Sequence, residues 1–188
     1  MIRRSAFPPL AGLAVALAAV LALSAPARPA ADTDEPLRAV PALDVQRYAG
    51  TWHELARLPV EIEQDCVRAI TATYTLRADG RLDVRNECTR ADGRREFAEG
   101  VARRGERPGE FEVRFAPDWL APLPFVWADY WVIAIDDDYR WAIVGEPDRE
   151  HLWFLSRDAA VDDRALEDLK GRARMLGYEL DALIVNPP

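Results

Sequence analysis

Between residues 51 and 156 the chain is a succession of short apolar runs broken by turn-forming residues about every ten positions, a spacing that predicts an all-β barrel or sandwich. The runs span residues 51–58, 70–77, 81–89, 94–103, 109–115, 130–136, 140–145 and 151–156. Asp79-Gly80 between two alternating runs is a hairpin signal, and Asp136-Asp137-Asp138 is a second tight connection. Eight strands linked mainly in sequence order fit an antiparallel up-and-down barrel, which leaves no free edge and can enclose one small ligand. Periodicity alone also admits an open sandwich.

After the eighth run the period changes. Leu166, Leu169, Ala173 and Leu176 mark one face of a C-terminal α-helix, with Asp162 as its N-cap, Val161 and Leu166 as a hydrophobic staple, and Gly177 as the terminator. This helix is expected to pack on the barrel wall. Residues 178–185 then return as a short extended segment.

The N-terminus has the form of a secretory signal. Arg3 and Arg4 precede an apolar run from Leu10 to Leu23, and Ala25-Pro26-Ala27 supplies small residues for cleavage, so residues 1–27 are expected to be removed. The apolar run is short for a membrane span. No cysteine precedes Cys66, so the acylated cysteine of a bacterial lipoprotein is not expected, and the protein is predicted to be periplasmic, at most peripheral to the outer membrane. Residues 28–42, rich in Pro, Ala and charge, are expected to be a disordered leader, and residues 43–188 the barrel domain. The chain has 32 acidic against 24 basic residues, a net charge of −8, and no basic block, which argues against nucleic acid as a partner.

Two further segments give the barrel a family character. Leu43 to Ala56 runs from a short helical turn through Gly50 into a strand opening with Trp52, and Leu152 to Arg157 ends a strand on an arginine. Together with Ala128 to Asp136, these stretches resemble the three signatures of the lipocalins, and the resemblance extends over residues 43–185. It is nearest to the bacterial branch similar to apolipoprotein D and to plant temperature-induced lipocalins. The resemblance implies that Trp52 plugs the closed end of the barrel and that Arg157 lies across its indole, a cation–π contact of roughly 0.5–2 kcal/mol. Both residues are therefore assigned to the floor.

In the same frame Tyr74, Phe115 and Trp153 match positions that line the lipid pocket of the apolipoprotein D group. Strand alternation brings Ala72, Leu76, Phe111, Val113 and Leu155 to the same face, with Leu82, Val84 and Ala56 as further candidates. Glu54 shares parity with Trp52 and is expected to point inward. Arg68, Arg90 and Arg114 are the basic candidates for a head group. The alternative is a solid barrel filled by these side chains. Cys66 and Cys88 both fall at the open end, and in an oxidising compartment they are expected to form a disulfide, the alternative being two separate buried thiols.

The connection from Ala116 to Trp127 holds three prolines yet carries Trp119, Leu120, Leu123, Phe125 and Trp127. So apolar a loop at the barrel mouth is expected to act as a lid, to touch a membrane interface or to pair two copies, unless it folds back on its own barrel. The catalytic inventory is thin. Ser156 is the only serine beyond the signal, no nucleophile elbow or phosphate-cradling Gly-rich loop exists, and His53 and His151 have no partners at metal-ligand spacing. The expectation is a binding protein without cofactor or metal that stores or transports a fatty acid or lysophospholipid. The runners-up are a lipocalin-fold enzyme, which needs a reactive thiol or an inward acid, and an interaction module that docks a membrane or a protein.

Overall fold

The computed structural model describes residues 35–187. The expected signal peptide lies outside them. A one-turn helix, α1 (Val45–Tyr48), leads into eight strands: β1 (Gly50–Arg57), β2 (Cys66–Leu76), β3 (Leu82–Arg90), β4 (Arg95–Arg104), β5 (Glu110–Arg114), β6 (Ala128–Ile135), β7 (Trp141–Gly145) and β8 (Leu152–Ser156). A helix, α2 (Asp163–Met175), and a two-residue strand, β9 (Ile184–Val185), follow. Each strand pairs antiparallel with the next, and β1 pairs with both β2 and β8, which closes the barrel. β9 continues the edge of β1 at Ala56 and Arg57, where β2 has diverged. The eight-stranded barrel with a helix on its wall is the predicted architecture.

Local chemistry explains the entry into the barrel. The Asp44 side chain accepts from the Gln46 and Arg47 amides and starts α1. Gly50 then takes φ +99°, and a β-carbon there would stand 3.2 Å from an Arg157 nitrogen, so glycine serves both the turn and the approach of the arginine. β2 starts four residues before the predicted run. Its first half carries two register shifts and a left-handed Ala69, which erase the two-residue period that would have announced it.

Two apolar clusters divide the interior. One fills the lower barrel, with Tyr48, Trp52, Leu82, Phe111, Val132, Val144 and Leu155 among its members. The other lies between the outer wall and α2, where Leu55, Ile143, Leu152 and Phe154 meet Leu169, Ala173 and Tyr178. α2 has the predicted ends: Asp162 Oδ1 accepts from the Ala165 amide, and Gly177 and Tyr178 return their amides to Arg174 and Ala173 in a Schellman closure. Gly145 is required beneath it, because a β-carbon would overlap the Tyr178 hydroxyl.

Residues 35–42 depart from the expected disordered leader. Leu37 is buried in the outer cluster, and the Val40 amide donates to Val132 O at 2.8 Å beside the closed end. An edge carbonyl and two isolated apolar side chains suffice to anchor this stretch, and neither leaves a periodic pattern in sequence.

Candidate functional site

The floor is built on Trp52, which is fully buried and donates from Nε1 to Tyr48 O at 2.8 Å. Arg157 lies over the indole with its guanidinium carbon 3.8 Å from the ring centroid. Its nitrogens also donate to the carbonyls of Arg47, Tyr48, Ala49 and Thr51 at 2.7–3.0 Å. One side chain thus closes the barrel base and satisfies the end of α1.

Directly above, three phenols meet. The Tyr130 hydroxyl is 2.6 Å from that of Tyr48 and 2.7 Å from that of Tyr74. Burial pushes all three above the ordinary tyrosine range, so they remain neutral hydroxyls.

Above the phenols the barrel is hollow. The cavity has a volume of ≈ 450 Å³, and Ala72, Tyr74, Val84, Val113, Phe115, Trp153 and Leu155 contribute its apolar wall. Of the predicted ligand-contacting residues, Glu54, Tyr74, Val113, Phe115 and Trp153 face it. Ala56 does not. The β1–β8 register slips between Glu54 and Ala56, and this bulge inverts the parity of the strand, turning Ala56 into the outer cluster beneath α2 and Arg57 toward the interior. Leu82 and Phe111 are buried below the cavity with the floor residues, and the half-buried Leu76 packs against them. Tyr130, Asn86 and Glu63, which the sequence analysis did not single out, also line the cavity. The alternation of β6 alone pointed toward Tyr130.

The mouth is acidic. Glu54, Glu63, Glu87, Glu96, Asp129 and Glu146 reach the cavity wall, and among the described residues no Arg or Lys does. Arg57 is buried behind them, with both terminal nitrogens hydrogen-bonded and Nε left without a hydrogen-bond partner. It donates to Glu54 Oε1 at 2.9 Å, Asn186 Oδ1 at 3.1 Å and Glu63 O at 2.9 Å, with its Nε 3.5 Å from the Glu63 carboxylate. Burial, followed by the charge of Glu54, raises the Glu63 carboxyl from 4.5 to about 8, and the opposing pull of Arg57, shared with Glu54, is too small to reverse it. His151 stacks on Trp153 at 5.8 Å and bonds Glu146 at 2.7 Å. The basic residues predicted for a head group are elsewhere. Arg68 is solvent-exposed, Arg90 pairs with Asp65 and Glu96, and Arg114 is buried on the outer face.

Cys66 and Cys88 form a disulfide in the wall at the mouth, with 5.6 Å between their α-carbons. Among the described residues there is no free cysteine. The apolar loop does not roof the cavity, since no residue from Ala116 to Trp127 is on its wall. Arg114 holds the loop back by bonding Ala116 O and Asp118, while Trp127 lies under Arg103 and Arg114 at 4.0 and 5.2 Å. Trp119 and Phe125 nevertheless project, 77% and 79% exposed, and Leu123 is also exposed while Leu120 is half-buried.

The chain is similar to known proteins in sequence and in fold. The family model described as a lipocalin-like domain matches residues 43–188. Temperature-induced lipocalin-1 of Arabidopsis thaliana is 37% identical over 155 residues, 80% of this chain and 82% of its own length. Outer membrane lipoprotein Blc of Escherichia coli is 34% identical over 177 residues, 94% of each chain. The solved structure of insecticyanin from the tobacco hornworm Manduca sexta superposes with a TM-score of 0.64 at 22% identity, covering 82% of this chain and 85% of its own. With its barrel, its floor of indole and guanidinium, and these matches, the chain belongs to the lipocalin family.

Proposed function

We propose that this lipocalin is an exported, periplasmic lipid carrier that takes up the acyl chain of a fatty acid or lysophospholipid and stores or transports it for membrane maintenance. The observation that carries the reading is the hollow of ≈ 450 Å³, floored at one end and walled by aliphatic and aromatic side chains. Each methylene transferred into such a space contributes about 0.8 kcal/mol, so affinity comes from chain length more than from any polar contact. Similarity to an outer membrane lipoprotein supports an envelope location, and the disulfide is consistent with export.

The exposed Trp119, Leu123 and Phe125 suit a bilayer interface, where aromatic side chains are favoured, and the loop makes peripheral contact with the outer membrane during lipid exchange. A homodimer formed through the same loop is the competing use of this surface.

A fluorescent fatty acid and a fluorescent lysophospholipid, titrated into wild type, Trp153→Asp and Ala72→Trp, test the carrier reading. Wild type is expected to bind, and both variants, which charge or fill the hollow, are expected to lose binding while keeping a folded barrel. Binding that survives both changes contradicts the assigned pocket. A second reading, an enzyme on a lipophilic substrate, has one observation in its favour: Glu63 is an acid on the cavity wall with a raised pKa. Mass spectrometry of lipid recovered after incubation separates the two, since a carrier returns its ligand unchanged.

A further inference from the structure

Three hydroxyls carry three protons, and only two hydrogen bonds join Tyr48, Tyr130 and Tyr74. One proton is therefore unspent. Among the described residues none of the three phenolic oxygens has another side-chain or backbone partner.

Burial decides where the spare proton sits. Tyr48 is fully buried and is not on the cavity wall, so an unused O–H there would be a desolvated donor with no acceptor. That cost makes Tyr48 the donor to Tyr130. The free O–H then belongs to Tyr130 or Tyr74, both of which face the cavity. An unfilled acceptor stands on the same wall. Asn86 Oδ1 is buried without a partner, and Asn86 lines the cavity opposite Ala72, one inward row above the Val84–Tyr74 pair and so about 7 Å along the strand.

The lower wall thus offers a spare phenolic donor and the unpaired amide of Asn86, and so matches a group that both accepts and donates. We propose that the lower cavity selects acyl chains bearing a hydroxyl on the portion that reaches the floor, with Tyr74, Tyr130 and Asn86 as the specificity-determining residues. This rests on the carrier reading and names the ligand class within it. A saturated chain displaces solvent from these groups and leaves them unpaired. A hydroxylated chain replaces the lost bonds. In a plain apolar pocket the order is the reverse, because the ligand hydroxyl itself must then be desolvated without a partner.

The test is displacement of a fluorescent fatty acid from the full mature protein by hexadecanoic acid and by 16-hydroxyhexadecanoic acid. Wild type is expected to bind the hydroxy acid about tenfold more tightly. The isosteric triple variant Tyr48→Phe, Tyr74→Phe, Tyr130→Phe is expected to invert that order, and Asn86→Leu, which leaves the phenols intact, to narrow the preference. Wild type binding the saturated acid as well as or better than the hydroxy acid overturns the inference and leaves the carrier reading standing. An unchanged preference in both variants also overturns it. Failure of a folded wild type to bind either acid removes the carrier reading and this inference with it.

Discussion

The guanidinium of Arg157 stands 3.8 Å from the centroid of the Trp52 indole while donating to four carbonyls between Arg47 and Thr51. Stacking and hydrogen bonding come from one planar group, so the contact links the end of the last barrel strand to the start of the first. Arg157→Ala is expected to lower stability by about 3 kcal/mol, the combined loss of a cation–π contact and charge-assisted bonds. Arg157→Lys should recover less than half of this, because an ammonium has neither the plane nor the fork. Urea denaturation with a fixed m-value measures both.

The Cys66–Cys88 bond closes a loop with a sequence separation of 22. In the chain-entropy account this contributes about 3 kcal/mol. Replacing both cysteines by serine is expected to lower the denaturation midpoint accordingly, and thiol titration of the unreduced wild type to find no reactive sulfhydryl. A titratable thiol would reopen the enzyme reading.

Glu63 supplies a pH signature. Its carboxyl is raised from 4.5 to about 8 in the folded protein, so between those values the native state holds a proton that the unfolded chain has released. Stability from this group is fully present below pH 4.5 and declines as pH rises through 8. Glu63→Gln, which mimics the protonated acid, is expected to flatten that decline and to be more stable than wild type above pH 8. Denaturation midpoints collected from pH 5 to 9 decide the point, and identical slopes for the two proteins would count against the assignment.

The mouth loop divides into a packed and a projecting part. Trp127 lies against Arg103 and Arg114, whereas Trp119 and Phe125 are 77% and 79% exposed. Changing Trp119 and Phe125 together to Ser is therefore expected to leave the barrel's thermal transition within a few degrees of wild type and to abolish co-flotation with phospholipid vesicles. If flotation persists but a dimer seen by analytical ultracentrifugation disappears, the surface serves pairing.

Eight short alternating runs, the Asp162 and Gly177 helix signals, and the Gly50-Thr51-Trp52 and Arg157 positions were all legible in the chain. Each is local, because strand period, cap chemistry and turn geometry are set by neighbouring residues. The inward set on β2 and β5 was equally readable, since one anchored residue fixes a regular strand's parity. What the chain could not show are the departures from regularity. The bulge between Glu54 and Ala56 moved Ala56 out of the pocket and turned Arg57 inward, behind the Glu54 and Glu63 carboxyls. The anchoring of Leu37 and Val40 depends on partners about a hundred residues away. The triad of Tyr48, Tyr74 and Tyr130 joins three separate elements, so neither its hydrogen bonds nor its unspent proton exists until the barrel closes. Local patterning thus determined which elements form and which faces are apolar. Closure of the sheet decided which polar groups meet inside it, because burial and pairing depend on residues distant in sequence.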